Sequence, residues 1–449
     1  MKTKRVLAAS LAVVVAGTLA SCSSGGGEDG GNDATNCTNT IPKPDLPVVT
    51  LWAWYPNMER VADNFNNLHD DVQVCWTNVG AGGAEYDKFQ TAITAGSGAP
   101  DVIMIEADRI AVFQAQGALV DLKDLGYEAV KNNFSEGAWK DMTVGDGIYG
   151  VPVDGGPMAM IYRKDIFDQY GITPPTTWAE YEAAAQKVKD AGGPLFGDFG
   201  ANVPAAILAL LYQNGAEPFT YDPAAGGEIG INLNSNEVKE VLEYWAGLVA
   251  KGLVGTQDQF TPEYISGVIA GDYATYISAA WAPGYLQGAG VGEGADADVW
   301  RTAPLPQWDP DNPVYVNWGG SAFSVTNQAK DKALAAKVAF GIYADDASLR
   351  DGWENQIIFP LNLSVLNDPE FIDAEIKFFG GQQANKEVYV PAANGYKGMT
   401  YTPLQQFFYS SFTEQIAAIN DGSKSGSQAA EDLHEAVVAY AKEQGFTVK

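Results

Sequence analysis

The chain has 449 residues, 46% hydrophobic and 11% aromatic, which is enough apolar material for large buried cores and, by length, for two domains. Its formal charge of −29 argues against nucleic acid and anionic lipid headgroups as partners, since both need a basic surface. The two histidines, His69 and His434, accompany neither a nucleophile motif nor a cysteine at ligand spacing, so no triad chemistry, metal or cofactor is expected.

Lys2, Lys4 and Arg5 precede an apolar run, Val6 to Thr18, that ends in the small residues Ala20 and Ser21. This is the pattern of an export signal over residues 1–21, and the run falls short of the roughly 20 residues a bilayer span needs. Leu19-Ala20-Ser21-Cys22 resembles the bacterial lipobox, which implies a diacylated Cys22 at the mature N-terminus. Each buried acyl methylene contributes about 0.8 kcal/mol, so several chains anchor a protein without a spanning helix. Ser23 to Asn36 is almost wholly Ser, Gly, Asp, Glu and Asn, and residues 22–46 are expected to be a flexible, lipid-anchored tether on the outer face of the cell membrane. With Cys22 assigned to lipid, Cys37 and Cys75 remain as an even pair in an oxidising compartment. A disulfide between them is expected, with two independent thiols as the alternative.

Pro47 to Trp54 is β-branched and aromatic and reads as the first strand of the body. Met58 to Leu68 follows as a helix with Val61, Phe65 and Leu68 on one face; Val72 to Val79 is a second strand, Tyr86 to Ala95 a helix, and Val102 to Ile105 a strand apolar enough to be buried on both faces. The alternation predicts a parallel α/β sheet with crossover helices. Helices are then expected at Ile110 to Gln116 and near Asp121 to Asn132, and a strand at Ile148 to Val153. Pro152, Gly155, Gly156 and Pro157 punctuate the chain there and are taken as a first crossing between lobes.

A second lobe would hold helices at Trp178 to Ala191, Pro204 to Asn214 and Ser235 to Lys251, and a helical stretch Ser266 to Ala280 ending before Trp281. The return is placed near Thr302 to Trp308, followed by a glycine turn at Gly319-Gly320 into a short strand and a helix at Asp331 to Tyr343. Helices at Leu404 to Ile419 and Gln428 to Gln444 close the chain, and no repeat of 20–50 residues suggests a solenoid. The expected division is 47–153 with 303–356 as one lobe and 154–302 with 357–449 as the other.

Ligands of open α/β sheets collect beyond strand ends. Trp52, Trp54 and Tyr55 end or follow the first strand, and Glu106 and Asp108 follow the third. Asp154 lies at the proposed crossing, Trp281 precedes Ala282-Pro283-Gly284, and Trp318 precedes Gly319-Gly320. Indole rings stack on the C–H faces of a sugar, while carboxylates and backbone amides pair with its hydroxyls. Ordinary core for any one tryptophan, and plain turn formation for the glycines, are the competing readings.

The lipobox, Val49 to Tyr55, Pro100-Asp101-Val102, Tyr149-Gly150-Val151-Pro152, Tyr162-Arg163-Lys164-Asp165, Ala303-Pro304-Leu305-Pro306 and Asn317-Trp318-Gly319-Gly320-Ser321 together resemble the family 1 extracellular solute-binding proteins of carbohydrate ABC transporters, most closely actinobacterial forms. The resemblance runs over essentially the whole mature chain and implies an α/β, two-lobed, type II periplasmic-binding-protein-like clamshell with hinge crossings. It implies a non-enzymatic monomer that takes a mono- or oligosaccharide between its lobes and hands it to the transmembrane permease subunits. The expected ligand-binding residues are Trp54, Tyr55, Glu106, Asp154, Trp281, Trp318, Gly319 and Gly320, then Trp52, Met158, Ser321 and Phe359, with Asp198, Phe199 and Asn202 on a loop nearby. The rival classes are a secreted glycoside hydrolase, which needs two carboxylates about 5–9.5 Å apart, and a surface sensor or adhesin that binds sugar without delivering it.

Overall fold

A computed structural model describes residues 37–449 with the exception of Gly226; the leader, Cys22 and most of the tether lie outside the described residues. A seven-stranded mixed sheet organises the body. Its outer part is parallel: Val48–Trp52 lies between Gln73–Thr77 and Val102–Glu106, as the alternating pattern predicts. The helices Met58–Leu68 and Gly83–Ala95 make the crossovers. Met58, Val61, Ala62 and Phe65 are buried along the first of these, whereas Leu68, expected on the same stripe, is 60% exposed.

The rest of the sheet is antiparallel, which the sequence pattern does not anticipate. Val151–Arg163 is one continuous strand of 13 residues running straight through Gly155-Gly156-Pro157, where the punctuation predicts a break. The glycine serves packing instead: a Cβ on Gly156 would lie 1.9 Å from the Trp318 carbonyl oxygen of the adjoining strand Asn317–Val325. The near end of the long strand pairs with Asn317–Val325, which in turn pairs with Val102–Glu106. Its far end, Met158 to Arg163, runs between Thr275–Ala279 and Trp300–Pro304.

Two other expectations are corrected. Ser266 to Ala280 is a helix, Pro262–Ala270, closed by the left-handed Gly271 and followed by the strand Thr275–Ala279, which satisfies the long strand's edge. The stretch near Asp121 to Asn132 forms only short 3₁₀ turns, Lys123–Leu125 and Tyr127–Asn133, separated by the left-handed Gly126.

The largest core cluster contains Leu51, Val74, Phe323 and Ile342 and also takes in Tyr264, Leu286, Trp300 and Phe379. A second is built on Phe196, Leu211, Leu242 and Trp245 and closed by Phe408, Phe412 and Leu433 from the helices Gln405–Asn420 and Gly426–Glu443. The helix Trp178–Asp190 enters that core behind a reciprocal cap in which Thr177 and Glu180 satisfy each other's backbone amides. Cys37 and Cys75 form the expected disulfide, fixing the start of the described chain to the edge strand Gln73–Thr77. Among the described residues no helix is long and apolar enough to cross a membrane.

Candidate functional site

Where the antiparallel strands pass from one core to the other, they floor a cavity of about 640 Å³. One wall is made by the ends of the first and third strands, which supply Trp54, Tyr55, Pro56, Glu106 and Asp108. Further lining comes from the loop and helix start Asn202 to Ala205, from Phe260 and Trp281, and from Gln406, Tyr409, Ser410 and Thr413 on the helix Gln405–Asn420. Asp154, Trp318, Gly319, Gly320 and Ser321 form the floor between them.

The floor has an ordered polar row. Ser321 is in register with Asp154 on one side and with Glu106 on the other, so the three residues lie abreast on adjacent strands, about 4.8 Å apart strand to strand. The Tyr55 hydroxyl lies 2.5 Å from Ser321 Oγ. Asp154 Oδ1 accepts the Phe359 backbone N–H at 2.8 Å, and Glu106 Oε2 accepts the Tyr86 hydroxyl at 3.1 Å. Burial pushes the Asp154 carboxyl up to about 8, with the Glu106 charge adding to the shift. Burial likewise raises Glu106 to about 7, assisted by Asp108 and opposed by Arg109. Arg109 lies 3.5 Å from Asp108, hydrogen-bonds Gln406, and sits 5.6 Å from the ring centres of both Tyr86 and Tyr409.

The aromatic part is equally ordered. Trp281 and Trp318 meet edge to face at 5.0 Å, and the Trp281 indole N–H donates to the Trp318 carbonyl at 2.8 Å. Phe260 lies 6.2 Å from Trp281 and 6.0 Å from Trp318. Gly319 and Gly320 have positive φ, 79° and 114°, and a Cβ on Gly319 would lie 3.3 Å from the Trp281 indole nitrogen, so the missing side chain lets that ring close over the strand.

Nine of the twelve expected binding residues therefore line one cavity: Trp54, Tyr55, Glu106, Asp154, Trp281, Trp318, Gly319, Gly320 and Ser321. Trp52, Met158 and Phe359 are placed elsewhere. Trp52 packs against a small core that includes Ile103 and Ala107, Met158 is buried in the second core, and Phe359 packs on Phe371 and Tyr389 while its amide holds Asp154 from behind. Of the nearby loop, Asn202 lines the cavity; Asp198 is buried behind it, accepting from Tyr264 and Gln259.

Sequence reasoning missed Phe260, Ile357 and the face of Gln405–Asn420. Phe260 and Ile357 are 44% and 43% exposed, line the cavity, and both have a φ of 62°, where a side chain with a Cβ is strained. No composition signal marks such positions. The backbone before Phe260 is held by Asn202, which donates to the Gln259 carbonyl at 2.7 Å and accepts its N–H at 3.0 Å, while the Gln259 side chain is fixed by Asp198 and Tyr276. Among the described residues no group of three or more His, Cys, Asp or Glu is placed to hold a metal ion.

The comparisons with known proteins agree on one kind of molecule. The family described as "Bacterial extracellular solute-binding protein" matches residues 53–339. The chain is 26% identical over 367 residues to the lactose-binding protein of Rhizobium radiobacter, covering 77% of this chain and 83% of that one. It is 25% identical over 296 residues to the arabinooligosaccharide-binding protein of Bacillus subtilis, covering 64% and 66%. Among solved structures, an ABC transporter associated binding protein from B. animalis subsp. lactis, in complex with β-1,6-galactobiose, superposes with a TM-score of 0.75 at 26% identity over 90% of this chain and all of the other. The galacto-N-biose/lacto-N-biose I-binding protein of Bifidobacterium longum gives 0.78 at 22% identity, over 90% and 99%. The expected two-lobed α/β architecture is thereby borne out. Since the family match spans well over half of its length, the chain belongs to the bacterial extracellular solute-binding protein family.

Proposed function

We infer that the protein is the carbohydrate-capturing subunit of a bacterial ABC importer, holding a sugar between its two lobes and releasing it unaltered to the permease. The observation that carries this reading is the cavity itself: indole and phenyl faces from Trp54, Phe260, Trp281 and Trp318 surround a carboxyl–hydroxyl–carboxyl row, the complement of a sugar's C–H faces and hydroxyl rim. The sugar-binding relatives support it. Its size, about 640 Å³, favours a di- or oligosaccharide over a single ring.

The lobes are joined, in this reading, at Asp154 to Pro157, Asn317 to Gly320, and Phe359-Pro360. The second crossing is set later than residue 303 because Trp300–Pro304 still pairs with the far end of the long strand. Export, acylation of Cys22 and action as a monomer complete the proposal, and the polar tether would let the body reach the permease from its anchor.

A thermal-shift screen over mono-, di- and oligosaccharides tests it, because a ligand at 100 times its dissociation constant adds about 2.7 kcal/mol to stability. A saccharide that raises the melting temperature and is recovered intact after long incubation supports the receptor. Recovery of shorter products would support the hydrolase, and no shift with any saccharide would refute carbohydrate binding.

A further inference from the structure

The candidate cavity does not stand alone. A neck of about 10 Å³ shares Asp108, Gly320 and Tyr409 with it, and shares Ala107, Met399 and Tyr401 with a second chamber of about 370 Å³. The three lie in series along two stretches of chain. On one stretch the lining passes from Glu106 and Asp108 to Ile110 and Ala111 on the helix Ala107–Ala115; on the other it passes from Tyr409 back to Thr400. The chamber's remaining lining comes from both proposed lobes. Thr143 to Asp146, in the hairpin of Thr143–Val144 and Gly147–Ile148, line it together with Tyr221 and Asp222 of the strand Phe219–Asp222. The hairpin turn rests on the residue after that strand, since a Cβ on Gly145 would lie 3.1 Å from the Pro223 ring.

The neck has room for about one water-sized atom, and adjacent rings of a saccharide are joined through a single oxygen. Two residues lining it, Asp108 and Asn317, each keep a buried side-chain oxygen, Oδ1, with no hydrogen-bond partner among the described residues. A buried acceptor left unmet is costly, and the hydroxyls that flank a glycosidic link would meet both. Beyond the neck, Tyr221 and Tyr401 offer rings, and Thr143, Asp146 and Asp222 offer hydroxyl and carboxyl groups. That is the complement of a further sugar ring, in a volume within the range of ordinary ligand sites.

We propose that the neck and the second chamber extend the site into a groove for a linear oligosaccharide, with a glycosidic oxygen at the neck and a further ring beside Tyr221 and Tyr401. The proposal rests on the carbohydrate-receptor reading and narrows its ligand to chains longer than a disaccharide. Calorimetry tests it with gluco-, galacto- and arabino-oligosaccharide series, each as di-, tri- and tetrasaccharide. In the series that binds, affinity is expected to rise at least about tenfold from di- to tetrasaccharide, or about 1.4 kcal/mol. Tyr221→Ala removes a ring from the chamber and Thr143→Trp fills it, and both positions are half-buried. Each variant is expected to erase the rise, measured against its own disaccharide affinity. Equal affinity for di- and tetrasaccharides in every series would overturn the groove while leaving the receptor intact. A rise that survives in either variant would place the added rings elsewhere and overturn it as well. If no saccharide binds, the receptor reading fails and the groove falls with it.

Discussion

Phe260 offers a test in which stability and binding should move in different ways. A left-handed backbone puts the Cβ against the following carbonyl at a cost of about 1–2 kcal/mol, which glycine does not incur. Phe260, at φ 62°, bears that cost while leaving 44% of its surface exposed, so its ring recovers about half of the 1.5–3 kcal/mol that full burial would contribute. Phe260→Ala and Phe260→Gly lose the same ring, but only glycine also sheds the strain. Glycine's looser unfolded chain offsets about 0.5–1 kcal/mol of that relief. The Gly variant is therefore expected to be more stable than the Ala variant by up to about 1 kcal/mol, the reverse of the usual order. Both should lose saccharide affinity equally, by about 1 kcal/mol or more, the typical cost of removing an aromatic anchor. Denaturant midpoints without ligand and calorimetry with the best saccharide read the two quantities. An Ala variant at least as stable as the Gly variant would refute the strain. Unchanged affinity in both would remove Phe260 from the binding surface.

Two further outcomes are expected. Gly156→Ala should destabilise the protein by about 3 kcal/mol in chemical denaturation, because the new methyl group meets the Trp318 carbonyl at 1.9 Å and both strands are fixed by pairing; a loss under 1 kcal/mol would show that the two strands can separate at little cost. Asp141, raised to about 7 chiefly by burial, accepts the Tyr396 hydroxyl at 2.8 Å and the Met399 amide at 3.0 Å. Because its folded pKa lies above the unfolded value, its contribution is complete below pH 4 and disappears as pH rises toward 7, so wild-type stability should fall over that window. Asp141→Asn should flatten the fall, by up to about 4 kcal/mol at pH 8; an unchanged slope in denaturant midpoints between pH 5 and pH 8 would refute that assignment.

The first half of the parallel sheet was legible because strand and helix periods alternate cleanly: Met58 to Leu68 is a helix at the expected bounds, and Val102–Glu106 a strand one residue longer than expected. The chain beyond Ile148 was harder to read because its local signals point the wrong way. Gly155-Gly156-Pro157 has turn chemistry, yet the neighbouring strand's carbonyl demands the missing side chain, and the antiparallel pairing that decides this comes from residues more than 150 positions later. The site divides along the same line. Trp54, Glu106 and Trp318 could be found because they sit beside strand ends or glycines. Phe260 could not, since its conformation is imposed by Asn202 and Gln259 rather than by its own type. Met158 and Phe359 are apolar residues near a crossing, and their sequence neighbourhood does not say that one belongs to the core and the other holds Asp154 through its backbone.

Asp154 also gives a route by which binding would be felt at the proposed crossings. Itself in the first proposed crossing, it has its carbonyl oxygen 3.3 Å from where a Cβ on Gly320 of the second would lie, and it bridges to Pro360 and takes the Phe359 amide of the third, so one residue touches all three proposed crossings. A ligand hydroxyl at its carboxyl would compete with or reinforce a hydrogen bond that sets the geometry of the third crossing. Such a contact favours closure only if it is better in the closed state, and moving a population from 1:99 to 99:1 takes about 5.5 kcal/mol of differential affinity. One hydrogen bond supplies a fraction of that. If the proposed lobes move, the remainder must come from surfaces that a sugar can reach together only when they approach, such as Trp54 and Glu106 with Phe260 and Trp281, which line the same cavity. A saccharide long enough to touch one wall alone would bind without closing the protein, and a receptor that signals by closure would leave it untransported.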